Sequence, residues 1–276
     1  MSAPTIAAVL AGAKAMGVDR LDAQLLLARA LACPRSWLLA HDDASLDAPQ
    51  AVRVNADLLR RARGEPLAYI LGEKEFHGLM LHVNANVLVP RPETETLVDW
   101  GLALMTGALA RVPRPRVLDL GTGSGAIALA LKHALSAARV VGVDVSPDAL
   151  AVAGGNALRL GLAIDFRQGN WWDELGGQRF DLVVSNPPYI EPGDPHLLAL
   201  GHEPRIALTA DGNGLAALAA IVSGAPDHLE SGAWLLLEHG RDQAAQVTSM
   251  LVERGFSDVR TLRDMAGQPR CTGACR

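Results

Sequence analysis

Val117-Leu118-Asp119-Leu120-Gly121-Thr122-Gly123-Ser124-Gly125 is the stretch on which the fold turns. The apolar start is too short for a helix and ends in glycines, so 117–120 reads as a buried strand. Glycines there permit a tight turn and a close backbone approach to a ligand, and 126–135 resumes a helical pattern. A strand, a glycine loop and a helix in that order place a nucleoside-bearing ligand at the carboxyl end of the strand. Downstream, short apolar strands at 140–143, 163–167, 182–185 and 234–237 alternate with helical segments. Such alternation predicts an α/β fold, Rossmann-like, with a mainly parallel sheet and helices on both faces. The last segment, 258–276, holds two strand-like stretches with no helix between them, which predicts an antiparallel hairpin at the sheet edge.

Upstream, residues 5–63 are rich in Ala, Leu and Arg, and Leu21, Leu25, Leu26 and Leu31 recur at helical spacing. Pro34 and Pro49 fall at helix boundaries and Asp47 is a helix cap. Residues 1–74 are therefore expected to be a small helical bundle, either simple packing or a dock for a macromolecular substrate. Residues 75–90 read as a β-hairpin linker, with Leu79, Leu81 and Val83 on one side and Val87 and Val89 resuming after Asn84-Ala85-Asn86. Pro90-Arg91-Pro92 blocks further pairing, and a third region, 91–276, opens with a helical period over 93–110.

The chain of 276 residues is 49% hydrophobic and can bury a sizeable core. Its net charge of -5 argues against a broad phosphate-binding surface, and no stable nucleic-acid binding is expected. Cys33, Cys271 and Cys275 are too few for a disulfide framework, and an odd count fits a reducing, cytoplasmic compartment. Cys271 and Cys275 have no second ligand pair nearby, so no metal is assigned. The apolar start, 1–17, lacks a basic beginning and a cleavage site, and no run is long enough to cross a membrane.

Gly121, Gly123 and Ala126 also satisfy a dinucleotide fingerprint. Asp119 counts against that, because it would repel a pyrophosphate and attract a cationic amino group such as that of methionine. Asp144 closes the next strand about 20 residues on, where a carboxylate takes ribose hydroxyls, or else caps the helix beside Ser146-Pro147. Trp171 and Trp172 follow the third strand at the height of an adenine ring; one is expected to wall the base, the other to pack.

The strand at 182–185 delivers Asn186-Pro187-Pro188-Tyr189 to the same sheet edge. Consecutive prolines stiffen the backbone and remove two donors. An amide or aromatic amine has two N–H groups, so the Asn186 side-chain oxygen and the Pro187 carbonyl each take one, while Tyr189 stacks on the planar group. This chemistry fits methyl transfer from a sulfonium to a planar nitrogen, with position and electrostatics supplied by the protein.

These motifs resemble the HemK or PrmC family of protein-(glutamine-N5) methyltransferases, which act on class 1 peptide chain release factors. Pro90 to Glu95, His202-Glu203-Pro204 with Ala207-Leu208, and Leu237-Glu238-His239-Gly240 look like further signatures of that family. The resemblance implies a class I methyltransferase fold with a seven-stranded sheet and S-adenosylmethionine as cofactor. It implies cofactor contacts from Gly121, Thr122, Gly123, Ser124, Gly125, Asp144, Trp171 and Asn186, to which the charge argument adds Asp119. The glutamine of a Gly-Gly-Gln motif would be held by Asn186, Pro187, Pro188 and Tyr189, with Asn186, Pro187 and Tyr189 as the catalytic set. Arg91, Glu93 and Glu95 read either as a helix start with favourable acids or as substrate contacts. The tail from Arg270 to Arg276 is less like the family. A competing reading is an adenine or cytosine amino-methyltransferase; an NAD-dependent dehydrogenase and a catalytically silent binding module stand further off.

Overall fold

The computed structural model describes residues 3–276 and divides into two compact units, Met1–Glu73 and Lys74–Arg276. The first is helical: α1 (Ile6–Ala15), α2 (Arg20–Leu31), α3 (Arg35–Ala40), α4 (Ala48–Ala62) and α5 (Leu67–Leu71). Asp47 caps α4 as expected, in a reciprocal pair with Gln50, and Pro49 sits in the first turn. On α2 the buried stripe is Ala23, Leu26, Leu27 and Ala30, while Leu21 is exposed. An apolar residue on every side of a helix leaves the stripe to be chosen by its neighbours, here Ile6, Leu38, Val54 and Leu58. Arg29 and Arg61 of α2 and α4 reach Asp57 and Asp22, each at 2.6 Å, and tie the two helices together.

The second unit opens with a two-stranded sheet, β1 (Glu73–Phe76) and β2 (Leu79–His82). Its turn is His77-Gly78, both at positive φ (49° and 78°), which matches the twist of a two-residue hairpin. The sequence placed the turn at Asn84-Ala85-Asn86 and resumed a strand at Val87 and Val89. That is corrected: residues 87–89 form no strand element among the described residues, and the Val89 N–H donates to the Glu203 carboxylate at 3.0 Å.

Next come α6 (Glu95–Thr106), β3 (Arg116–Leu120), α7 (Ala126–Ala134), β4 (Arg139–Asp144), α8 (Pro147–Leu160), β5 (Asp165–Gln168), β6 (Phe180–Ser185), α9 (Ala216–His228), β7 (Leu229–Glu238), α10 (Ala244–Glu253), β8 (Ser257–Arg263) and β9 (Pro269–Cys275). The seven strands β3 to β9 form one sheet in the order β5-β4-β3-β6-β7-β9-β8. Five are parallel, and β9 runs antiparallel between β7 and β8. The terminal hairpin therefore contributes an inner strand as well as the edge. The chain leaves β3 toward β4 and β5, then crosses back to β6, so a cleft opens where the order reverses.

Alternation along the strands sorts the core into two layers. Val117, Leu182, Val184, Trp234 and Leu236 face α6 and α7, while Leu118, Leu120, Val183, Leu235 and Leu237 face α9 and α10. Gly273 of β9 is the tightest point of the first layer. A Cβ there would lie 2.4 Å from Leu236 Cδ2 and 2.7 Å from the Trp100 ring. Gly273→Ala is expected to lower stability by about 1–3 kcal/mol through overpacking, read by urea denaturation; unchanged stability would contradict this packing.

Candidate functional site

The glycine loop after β3 is held from three sides. Gly121 and Thr122 donate their N–H groups to the Val143 carbonyl of β4, at 2.8 and 2.9 Å. Asp144 closes the loop: Oδ2 accepts from Gly123 N at 2.8 Å and Oδ1 from Ser146 N at 2.9 Å. Asn156 of α8, fully buried, donates from Nδ2 to Ser124 O and His82 O, both at 3.0 Å, and accepts from His82 N at 2.7 Å. One amide thereby clamps the loop to β2. Positive φ at Gly125 (81°) brings the loop against Ala153, where a Cβ would stand 3.3 Å from that residue's methyl.

A cavity of about 710 Å³ opens above this loop. Its lining includes Gly121, Thr122, Gly123 and Ser124 of the loop, Asp144, Trp171, and Asn186 with Pro188. Trp171 stands at φ 54°, a conformation that costs a non-glycine residue about 1–2 kcal/mol. The gain is a ring laid close over Gly121, where a Cβ would be only 3.5 Å away. Trp172 instead packs, stacked on His228 with centroids 4.9 Å apart, its Nε1 donating to Ala220 O. The helix cap considered for Asp144 falls to Ser146, whose hydroxyl accepts from Ala149 N. Each Asp144 oxygen still has a lone pair for a ligand hydroxyl.

The structure does not bring Asp119 into the cavity. Strand alternation puts it on the Val117 face, toward α7, where Oδ2 accepts from Thr122 Oγ1 at 2.7 Å and Ala128 N at 3.2 Å. It shapes the loop from below. Burial pushes its carboxyl up to about 7, against those two hydrogen bonds. An acid whose pKa is higher folded than unfolded, where it is about 4, holds its proton longer in the folded state. Its contribution to stability is therefore lost as pH rises from about 4 through about 7. Wild type is expected to lose stability relative to Asp119→Asn across that window in urea titrations; a gap independent of pH would contradict the buried acid.

Gly125, Pro187 and Tyr189 also lie outside the lining. Pro187 is buried, and Tyr189 packs its ring on the α9 and α10 side of the core. Its hydroxyl donates to Glu238 Oε1 at 3.2 Å, and its backbone carbonyl accepts from Gln243 Nε2 at 3.0 Å. The Asn186 Nδ2 donates to Thr94 Oγ1 at 3.1 Å, which leaves Oδ1 for the cavity. Burial raises Glu238 to about 7, while Thr94, Arg270 and Tyr189 act to lower it.

The sequence signature at 91–95 takes a structural meaning. Arg91 pairs with Glu203, and Glu95 Oε1 accepts the His77 N–H at 3.0 Å, so the segment braces two walls of the site. Asn156 and Gln243 received no role from sequence reasoning, and Thr94 and Glu238 only a place in a motif. No local pattern marks them, since Thr94 and Asn186 stand 92 residues apart.

Two family models match: the PrmC N-terminal domain over residues 6–72 and the methyltransferase small domain over residues 94–203. A release factor glutamine methyltransferase of Xylella fastidiosa is 46% identical, over 99% of this chain and 98% of that protein. One from Vibrio cholerae is 47% identical, over 91% and 88%. A T. thermophilus 16S rRNA methyltransferase solved with AdoMet and guanosine shares the fold, with TM-score 0.55, 22% identity, and 74% of this chain and 49% of that one covered. The central sheet is thus that of class I methyltransferases. With near-complete coverage by relatives at this identity, the chain belongs to the release factor glutamine methyltransferase family.

Proposed function

We propose that the chain transfers a methyl group from S-adenosylmethionine to N5 of the glutamine in the Gly-Gly-Gln motif of class 1 peptide chain release factors. The observation that carries this reading is the Asn186 amide, oxygen toward the cavity, opening on the same space as the glycine loop. The names of the relatives support the acceptor.

The residues present fit the cofactor. Gly121, Gly123 and Ser124 offer a floor without bulky side chains, Asp144 has lone pairs for a ribose diol, and the Trp171 ring offers a face for a base. Among the described residues the one basic side chain in the lining is Arg91, and it is paired with Glu203, so a dinucleotide pyrophosphate would find no free cation among them. The volume lies within the range of small-molecule sites, about 300–1,000 Å³, with space for an acceptor side chain beside a nucleoside. When bound, S-adenosylmethionine supplies a methyl carbon made electrophilic by its sulfonium charge.

The protein's own part is position and polarity. Asn186 Oδ1, which borders the cavity, would accept one N–H group of the glutamine amide and so direct the nitrogen lone pair, while Pro187, buried behind the lining, would stiffen the backbone that carries Asn186. Acceptor oxygens also favour the positive charge that develops as the nitrogen gains a methyl and gives up one proton. Pro188 would border the acceptor, and Tyr189, held by Glu238 and Gln243, would set the far end of the tetrapeptide rather than stack freely. Residues 1–74 would dock the remainder of the release factor. The compartment would be the cytoplasm, which the free thiols of Cys33, Cys271 and Cys275 favour, and no helix among the described residues is long and apolar enough to cross a membrane. Proteolysis and mass spectrometry of a release factor incubated with enzyme and cofactor are expected to place one methyl on that glutamine. A methyl on any other residue would overturn the assignment.

A further inference from the structure

Ile206 is 61% exposed, yet it lines the cavity onto which Asn186 opens. A single apolar side chain on a surface is ordinary; what distinguishes this one is its place. Among the described residues, two large apolar side chains are both exposed and part of the lining, Val145 and Ile206. Val145 follows Asp144, on the wall assigned to the cofactor. Ile206 belongs to the other wall. Its segment is hydrogen-bonded to the residue that follows the tetrapeptide: Ile190 donates its N–H to Leu208 O at 2.9 Å, and Ala210 donates to Ile190 O at 3.0 Å.

That segment is braced on both sides of Ile206. Glu203, buried, accepts from Val89 N at 3.0 Å and pairs with Arg91. Beyond the isoleucine, Leu208 and Ala210 are buried. Between these anchors a single 3-10 turn, Arg205–Ala207, closed by Ala207 N donating to Pro204 O at 2.9 Å, leaves Ile206 facing outward. The side chain cannot turn inward without breaking those bonds, so its apolar surface gains only if a ligand covers it. For a glutamine to reach Asn186 its side chain must enter the cavity, which brings the adjoining main chain to the mouth. The two residues before it in Gly-Gly-Gln carry no side chain, so their peptide planes can lie flat on an isoleucine where a Cβ would hold the chain off.

We propose that Ile206 is a specificity-determining contact, which packs on the bare main chain of the glycine pair beside the target glutamine. The inference rests on the acceptor reading above and adds what the site demands of the residues next to the acceptor.

The test uses the full chain, S-adenosylmethionine and unmodified release factor. Ile206→Ser should raise KM for the factor about tenfold, the order expected from uncovering most of one isoleucine. At saturating factor kcat should stay within a few-fold, because the contact is the same in ground and transition states. Cofactor affinity and melting temperature should hold, since the side chain faces outward on the acceptor wall. Leu158→Ser removes an apolar side chain of α8 that is 85% exposed and outside the lining, and should leave KM unchanged.

The contact itself is read with a Gly-Ala-Gln factor, in which alanine replaces the glycine beside the glutamine. That change should raise KM about tenfold for wild type but about threefold or less for Ile206→Ala, where space has opened. Any cost that alanine carries within the factor is common to both enzymes and cancels in the ratio. The proposal is overturned by an unchanged KM in Ile206→Ser, by the same loss in Leu158→Ser, or by an alanine penalty equal in the two enzymes. A matching loss of cofactor affinity would also overturn it, because it would seat the side chain on the cofactor. A wild-type enzyme that leaves the Gly-Gly-Gln glutamine unmethylated would instead sink the functional reading itself, and this inference with it.

Discussion

Asn186→Ala should bind S-adenosylmethionine within a few-fold of wild type yet lose methyl transfer by roughly 10²–10³ in kcat, the usual cost of removing one aimed polar group from a reacting centre. The two effects separate because most of the cavity wall assigned to the cofactor belongs to other elements: the loop after β3, Asp144 at the end of β4, and Trp171 after β5. Asn186 stands at the end of β6, and its anchor, Thr94, comes from the segment before α6. Alanine removes the acceptor oxygen and leaves the Thr94 hydroxyl without its partner, but touches neither the loop nor Asp144. Isothermal titration with the cofactor and single-turnover methylation measure the two quantities independently. Equal losses in both would mean that Asn186 chiefly holds the cofactor, and the division of roles would fail.

Gly214→Ala should damage the same tetrapeptide from the other end. Gly214 sits at φ 76°, and a Cβ there would lie 2.1 Å from the Tyr189 carbonyl oxygen and 2.9 Å from Gln243 Nε2. The left-handed conformation alone costs alanine about 1–2 kcal/mol. The collision is with backbone, which cannot swing aside as a side chain can. Relief must come from moving Tyr189 away from Gln243, which loosens the hydrogen bond at 3.0 Å that fixes the carbonyl. A shift of about 1 Å in a reacting group costs roughly 100-fold, so kcat should fall by that order with the glycine loop intact. Melting temperature should drop as well. Full activity in this variant would show that the segment carrying Tyr189 tolerates displacement, against the rigidity ascribed to it.

What the sequence made legible was what short-range pattern encodes. The apolar strands on either side of the glycine loop have to be continuous because both faces of the sheet are covered, and that continuity is visible at 117–120 and 182–185. The loop's glycines and the Asn-Pro-Pro-Tyr run are legible for the same reason: their backbone demands are local. Asp119 shows a rule left unapplied, since counting by two from Val117 turns it toward α7 and away from the ligand. The hairpin turn was misplaced because Asn84-Ala85-Asn86 has commoner turn chemistry than His77-Gly78. The real turn is stabilised by distant or flanking acids, Glu95 on the His77 N–H and Glu75 on the Gly78 N–H. Thr94, Asn156, Glu238 and Gln243 are long-range partners, and their identity as buried hydrogen-bonding residues emerges only when the sheet brings separate segments together.

The central claim is the acceptor, and transfer of labelled methyl tests it most directly. Purified enzyme and S-adenosylmethionine would be offered unmodified release factor, the same factor with its Gly-Gly-Gln changed to Gly-Gly-Ala, DNA and RNA. Label on the wild-type factor alone is the predicted result. Label on nucleic acid with none on the factor would leave the fold and the cofactor site standing and contradict the substrate.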